Sequence, residues 1–195
     1  VMGRFFENTA IQAEEIIANY FFRCNLYAEK VVRVSGMGGS IAGGSVYAGF
    51  SIEAGTVGNR NGIRTDIQLG YDKDRTGIDY SGQLGEIESQ LTILNNALDE
   101  YREKYPPEER NMMPIFLKIE NAVYTKKQEK SDVEKLIAQQ LEERKKAKQA
   151  YIKVYNVLYE GTNVTINNVV YSADTRKCVM IKNVAGRIVV QNLQG

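Results

Sequence analysis

The stretch IQAEE-IIANY-FFRCN-LYAEK-VVRVS (residues 11–35) repeats every five residues. Each group opens with an apolar residue, and the spacing continues beyond Gly36 with one interval of six. The apolar positions are Ile11, Ile16, Phe21, Leu26, Val31, Ile41, Val46, Ile52 and Val57. With Gly36 counted as a tenth position of the repeat, most residues two places further on are small, namely Ala13, Ala18, Ala28, Gly38, Gly43, Ala48 and Ala54.

A period of five is neither the helix period nor a multiple of the strand period, and it is typical of a chain that turns a corner every few residues. We therefore predict a short parallel β-helix (β-solenoid) over residues 1–80, with three faces in a turn of about fifteen residues. The apolar residue of each face points inward and stacks on its equivalent in the next turn. The glycines of residues 36–39 and 43–44 are predicted corner residues with positive φ.

A phosphate-binding loop is the alternative interpretation of these glycines. Such a loop ends in Gly-Lys-Ser/Thr, and a dinucleotide-binding loop opens directly into a helix. Here Ser45 follows the last glycine and the five-residue repeat continues, so corners of a solenoid are favoured.

Residues 81–150 have a helical pattern instead. A three-four seam predicts a first helix through Leu84, Ile87, Leu91, Leu94, Leu98, Tyr101 and Tyr105. Pro106-Pro107 ends it, a second helix is predicted over residues 114–127, and a capping box of Ser131 and Glu134 predicts the start of a third. The seam of the third helix is Val133, Leu136, Ile137, Leu141 and Ala147.

Residues 151–195 return to a strand pattern, with apolar residues at Val164, Ile166 and Val169-Val170, and apolar runs at Val179–Ile181 and Ile188–Val190. Gly161, Asn167-Asn168 and Gly186 supply turns between them. Since strands precede and follow the helices, we predict a mainly β fold with an α insertion. In that fold an antiparallel helical coiled-coil arm interrupts the β-solenoid, the second helix lies at or near the arm tip, and the C-terminal strands pack on the solenoid.

The composition contains no histidine, and it is nearly neutral, with 25 Lys and Arg against 24 Asp and Glu. The missing histidine excludes Ser-His-Asp and Cys-His pairs and most zinc sites, although carboxylate pairs, Lys or Tyr remain available for catalysis. Near-neutrality argues against a nucleic-acid partner, and no apolar run is long enough for membrane insertion. Cys24 and Cys178 lie far apart outside any CxxC motif, which favours a reducing, cytoplasmic location, with a long-range disulfide as the alternative.

Two stretches carry a family resemblance. GGSIAGGSVYAGFSIEA (residues 38–54) continues through Val57-Gly58 and Ile63-Arg64-Thr65 to Leu69-Gly70, and YEGTNVTINN covers residues 159–168. The first resembles the Gly-Gly-x-Val-x-Ala-Gly, Ile-x-Ala, Val-x-Thr pattern of the bacterial flagellar assembly protein A family. The second is similar to that family's aromatic-Pro-Gly and Val-x-Ile motif, with Glu160 in place of the proline. The resemblance implies a β-helix with a coiled-coil arm, an upstream domain absent from this sequence, a link to flagellar assembly, and no catalytic residues.

Three other patterns are candidates for binding. Met112, Met113, Ile115 and Phe116 form an apolar cluster near the predicted arm tip, either as helix core or as a partner-binding surface. Residues 72–77 (DKDRTG) imitate the start of a calcium loop, but Gln83 stands where the bidentate Glu belongs, so a helix-capping connection involving Asp79 is favoured. The basic run of residues 144–148 is predicted to be a solvated helix end.

These observations predict a non-enzymatic structural scaffold that binds protein partners and needs no cofactor or metal. A filament-forming or self-associating β-solenoid is the alternative, including a homo-oligomer joined through the coiled coil. A hexapeptide-type acyltransferase is more remote, since that fold has a six-residue period and its members typically use a catalytic histidine.

Overall fold

The computed structural model describes residues 1–35, 38–70 and 80–193. The chain divides into two compact units, one of residues 1–73 and 143–195 (the β unit) and one of residues 74–142 (the helical unit). The fold is mainly β with a helical insertion, as the sequence predicted.

The β unit contains eleven strands in the described part of the chain, all in one sheet. They are β1 Phe5–Glu7, β2 Ala10–Ala18, β3 Tyr20–Val34, β4 Ser40–Ala48, β5 Ser51–Val57, β6 Thr65–Leu69, β7 Tyr151–Leu158, β8 Thr162–Ile166, β9 Val169–Ser172, β10 Arg176–Val184 and β11 Arg187–Asn192. Pairing from β1 through β8 is parallel, whereas β9, β10 and β11 pair antiparallel with their neighbours.

Strand pairing aligns the apolar residues in three columns, through parallel pairs except for the antiparallel pair of Ile152 with Ile181. The first is Phe6, Phe21, Ile41, Val57 and Leu158; the second is Ile11, Leu26, Val46, Ile67 and Val164; the third is Ile16, Val32, Ile52, Ile152 and Ile181. Every member is buried except Phe6 and Ile11, which are partly buried against the same core. The core of the β unit is therefore built from aligned side chains of successive strands.

The prediction that Val31 is a core position is wrong. Val32 is fully buried and aligns with Ile16, while Val31 is half-buried. The pairing of β2 with β3 shifts by one residue between Ala13 and Glu15, so β3 holds an extra residue at this corner. That residue moves the inward position from 31 to 32.

The predicted separation of about fifteen residues is found between Phe6 and Phe21 and, with 16 residues, between Ile41 and Val57, but it does not hold throughout the repeat. Phe6 aligns with Phe21, a separation of 15 residues, whereas Phe21 aligns with Ile41, a separation of 20 residues. The segment between Phe21 and Ile41 contains Gly36, Gly38 and Gly39. Gly36 and Met37 lie outside the described residues.

Two of the predicted corner glycines have the expected backbone. Gly43 and Gly44 have φ of 75° and 86°. At Gly44 a Cβ would lie 2.1 Å from the carbonyl oxygen of Cys24 in the neighbouring strand. Glycine is therefore required there both for its backbone conformation and for the close approach of two strands.

The last strands close the sheet on itself. Asn167-Asn168 joins β8 to β9 and Ala185-Gly186 joins β10 to β11, and all four residues have positive φ, as type I′ hairpin turns require. β9 contacts β11, and the side-chain amide of Asn183 donates to the carbonyl of Ile166 at 3.0 Å. At the opposite end, β1 and β2 have β3 as their only partner strand in the described chain, apart from a bridge between Met2 and Ile17.

The helices are α1 Tyr80–Lys104, α2 Pro107–Arg110 and α3 Pro114–Lys148. The predicted break before Ser131 is wrong, because α3 is continuous. Residues 126–131 contain no Gly or Pro, and Lys126–Glu129 and Lys130–Glu134 ion pairs lie along the helix surface. The single turn α2 was not predicted, although Pro107 stands at its first position.

α1 and α3 run antiparallel within the helical unit. The ring of Tyr101 lies 6.3 Å from that of Phe116, and Lys130 contacts Glu88 at 2.7 Å, so later residues of one helix meet earlier residues of the other. The buried core is Ile87, Leu91, Leu98, Phe116, Val123 and Val133, with Tyr80, Leu84, Leu94, Tyr101, Met113, Ile119 and Ile137 packed against it.

The predicted seam of α3 is partly wrong. Leu136 and Leu141 are exposed, whereas Val133 is buried. The three-four spacing of α3 begins instead at Phe116 and passes through Val123. Two positions of that spacing are occupied by Lys126 and Lys130, whose side chains are half-buried. Because lysine is charged, the apolar spacing of α3 is interrupted there and is difficult to recognise in the sequence.

Candidate functional site

Of the four residues predicted as an arm tip, Met112 and Met113 lie in the connection between α2 and α3, and Ile115 and Phe116 lie in the first turn of α3. The four differ in exposure. Met112 exposes 84% of its surface and Ile115 exposes 49%. Met113 is half-buried against the helical core, and Phe116 is buried. The outward pair, Met112 and Ile115, is called the turn patch below.

The base of the turn patch is held by Arg110. Its guanidinium group lies 5.8 Å from the centre of the Phe116 ring and donates to the carbonyl of Arg102 at 3.4 Å. These contacts link α2 to the end of α1 and to the start of α3. Because Phe116 belongs to this base, replacing it tests folding, and only Met112 and Ile115 are suitable for testing binding.

A polar cluster lies on the outer surface of the β unit. The phenol of Tyr151 donates to one carboxylate oxygen of Glu53 at 3.0 Å, and that of Tyr155 donates to the other at 3.1 Å. Arg33 lies 3.9 Å from the same carboxylate. Burial, and then the hydrogen bond to Glu53, raises the pKa of both phenols. The tyrosines therefore remain protonated donors at neutral pH, which fixes the carboxylate and supplies no nucleophile.

This cluster was not predicted, since Glu53 and Tyr151 are 98 residues apart in the chain. Parallel pairing of β5 with β7 brings them together. No spacing motif in the sequence signals such a contact.

The remaining candidates form neither a phosphate-binding helix terminus nor a metal site among the residues that the structure describes. β4 continues as a strand beyond Gly44 to Ala48, and β5 follows it, so no helix is placed to bind a phosphate at these glycines. The calcium-like residues 72–77 and Asp79 lie outside the described residues. Within residues 1–35, 38–70 and 80–193, no group of three or more Cys, Asp or Glu side chains is arranged to hold a metal ion. Cys24 and Cys178 are both free, so the structure does not contain the alternative disulfide.

None of the helices described in the structure combines the length and the apolar character needed to cross a bilayer.

Comparison with known proteins identifies a family. Residues 1–188 match the family model described as Flagellar Assembly Protein A beta solenoid domain. The match confirms the resemblance carried by residues 38–70 and 159–168. Neither the curated proteins nor the solved structures gave a significant match.

Proposed function

We propose that this chain, which belongs to the Flagellar Assembly Protein A β-solenoid family, is a scaffold for protein–protein contacts in flagellar assembly. In this proposal the three apolar columns are the faces of a parallel β-solenoid, and α1 and α3 form a coiled-coil arm. Residues 1–80 and 151–195 make the body, and residues 81–150 make the arm. The free thiols of Cys24 and Cys178 support a reducing, cytoplasmic setting.

The turn patch is the observation that carries the proposal. Met112 and Ile115 are exposed beside Phe116, which is buried, so the apolar surface stands on a packed base. Single exposed apolar residues are common, but two that lie three residues apart between the long helices α1 and α3 are suited to contact another protein. The unbranched side chain of Met112 adapts readily to the shape of a partner.

The chemistry of the described surface supports a binding role over an enzymatic one. The chain contains no histidine to act as a general base, which disfavours the acyltransferase alternative. The phenols of Tyr151 and Tyr155 donate hydrogen bonds to Glu53 and keep their protons at neutral pH. The family description names an assembly role and no reaction.

Photo-crosslinking in cells tests the turn patch. A photoreactive residue replaces Met112 in one variant and Ile93, which is 68% exposed on α1, in a control variant. We expect the first variant to crosslink to one defined protein and the control to give no such product. Equal crosslinking from both positions contradicts a binding role for the turn patch.

A flagellation assay tests the link to assembly. In a strain lacking the protein, the double variant Met112→Ser/Ile115→Ser is expected to reduce the number of flagella counted by electron microscopy. The control Ile93→Ser restores flagella, and both variants keep normal abundance and thermal stability. Full restoration by the double variant contradicts the proposal.

Light scattering coupled to size exclusion tests the self-association alternative. If the unaltered protein and the variant Met112→Ser/Ile115→Ser are both monomers, the result supports contact of the turn patch with a different protein. A dimer or filament that the same variant dissociates identifies a second copy of this chain as the partner.

A further inference from the structure

We infer that a cavity in the β unit binds an acidic segment of a partner protein, an inference that rests on the proposed scaffold function. The cavity has a volume of about 520 Å³, is open to solvent, and is lined by the end of α3 and the hairpin turns β8–β9 and β10–β11. Its lining residues are Arg144, Lys148, Asn167, Asn168, Val169, Asn183, Ala185 and Gly186. All belong to the β unit.

The residues that line the cavity carry positive charge, which favours binding of an anion. Arg144 and Lys148 lie four residues apart, which places them on the same face of α3. Among the described residues, no Asp or Glu lines the cavity. A guanidinium group matches the two oxygens of a carboxylate, and an ammonium group adds a second positive charge nearby.

The opposite wall is held in place before any ligand arrives. The side-chain amide of Asn167 donates to the carbonyl of Ala147 at 3.1 Å and so ties the β8–β9 turn to the end of α3. The backbone amide of Gly186 donates to the side chain of Asn183 at 2.9 Å within the β10–β11 turn. A wall fixed in this way loses little conformational freedom on binding.

Hydrogen bonds at the C-terminal end of α3 also reduce the partial negative charge that this end presents. The carbonyl of Ala147 accepts from Asn167 and from the backbone amide of Ala150, so this oxygen of the last turn already has partners. The helix end therefore opposes a bound carboxylate less than an uncapped end would.

The size and composition of the cavity favour a peptide over other anions. The volume lies within the range of ligand pockets and exceeds the needs of one phosphate group. Val169 and Ala185 add apolar surface for side chains between the acidic ones. Single-stranded nucleic acid is usually bound on aromatic side chains, and none lines this cavity within the described chain.

Fluorescence anisotropy of the full chain tests the inference with a labelled peptide of alternating Glu and Leu and a second peptide with Gln in place of Glu. We expect the Glu peptide to bind at least about tenfold more tightly, and to weaken as salt rises from about 50 to 200 mM. Equal binding of the two peptides overturns the inference.

Matched charge reversals locate the site. The variant Arg144→Glu/Lys148→Glu is expected to weaken binding of the Glu peptide by about tenfold or more. Lys145→Glu/Lys146→Glu makes the same change in net charge outside the lining and is expected to keep the affinity within about threefold. Equal losses in both variants overturn the assignment to the cavity.

Two further measurements complete the test. Arg144→Gln/Lys148→Gln, with an unchanged thermal melt, is expected to lose most of the binding, and full binding by that folded variant overturns the inference. An oligonucleotide of equal charge that displaces the peptide at lower concentration than unlabelled Glu peptide overturns it in favour of nucleic acid. Crosslinking at Met112 is measured separately, so failure of the cavity is distinguishable from failure of the proposed function.

Discussion

The β unit and the helical unit bury their apolar side chains in different ways. In the β unit, each inward residue lies between equivalents on neighbouring strands, and members of the columns such as Ile52 are fully buried. In the helical unit two helices meet along one narrow seam, where Leu91 is still 8% exposed. The comparison shows that one chain combines a core aligned over many strands with a core only two helices wide.

Removal of one phenyl ring from each core tests this comparison and has the largest expected effect. Phe21 is 0% exposed in the β unit and Phe116 is 1% exposed in the helical unit. Phe21→Ala should cost about 5 kcal/mol and Phe116→Ala about 3 kcal/mol, because two helices can relax around the missing ring more easily than a sheet can. Urea unfolding monitored by circular dichroism measures both. Equal losses in the free energy of unfolding would show that the two cores respond alike to a missing ring.

A smaller effect is expected from the backbone contact at Gly44. Gly44→Ala places a methyl group against the carbonyl of Cys24 and should destabilise the β unit by about 2–4 kcal/mol. The matched control is Gly62→Ala, where φ is +65° but the added methyl group meets open space. The control should cost about 1 kcal/mol, from backbone strain alone. Similar thermal melts for the two variants would show that strand spacing at Gly44 does not matter.

The tyrosine cluster gives a dependence on pH. Burial, and then hydrogen bonds to Glu53, raises the pKa of Tyr151 and Tyr155 above the usual 10.0. The folded state therefore holds these protons more tightly than the unfolded state, so the stabilisation is complete below about pH 10 and is lost as the pH rises through the folded pKa. Thermal melts between about pH 8 and 11 should show this loss, and Tyr151→Phe/Tyr155→Phe should reduce it. The control Tyr124→Phe on the helical unit should leave the profile unchanged.

The smallest effect is expected at Ser131, and it sharpens the description of the helical unit. A residue in the interior of continuous α3 should tolerate Ser131→Ala with a change within about 0.5 kcal/mol. A helix N-cap at Ser131 would instead lose about 1 kcal/mol on the same change. Thermal unfolding followed by circular dichroism separates the two outcomes.

The sequence predicted the β core well because the same residue both sets the period and fills the core. Ile16, Phe21 and Ile52 are all buried as the five-residue spacing predicts. The spacing failed at Val31, where one extra residue enters a corner without disturbing the apolar pattern on either side. A repeat period describes the average spacing of the apolar residues, so it does not reveal where a single residue is inserted.

The helical seam and the surface sites were harder to predict for different reasons. Lys126 and Lys130 occupy seam positions of α3, and their charges interrupt the apolar pattern even though their side chains are half-buried. The cavity combines a basic run with two hairpin turns that the sequence predicted separately. Their juxtaposition depends on the closing of the sheet, which brings β9 beside β11 and has no local signal.

Among the described strands, β1 and the residues of β2 before Glu15 pair only with β3, and the charge on these strands has a consequence for pairing with a further strand. Backbone groups along the edge of a sheet are able to template another strand, which is the usual route to sheet-mediated aggregation. Glu7, Glu14 and Glu15 are exposed along these strands, and two identical edges would bring carboxylates together. Lys30 contacts Glu14 but leaves the other two carboxylates to repel an approaching copy. The acidic side chains thus oppose pairing of β1 and β2 with a second, identical copy of these strands.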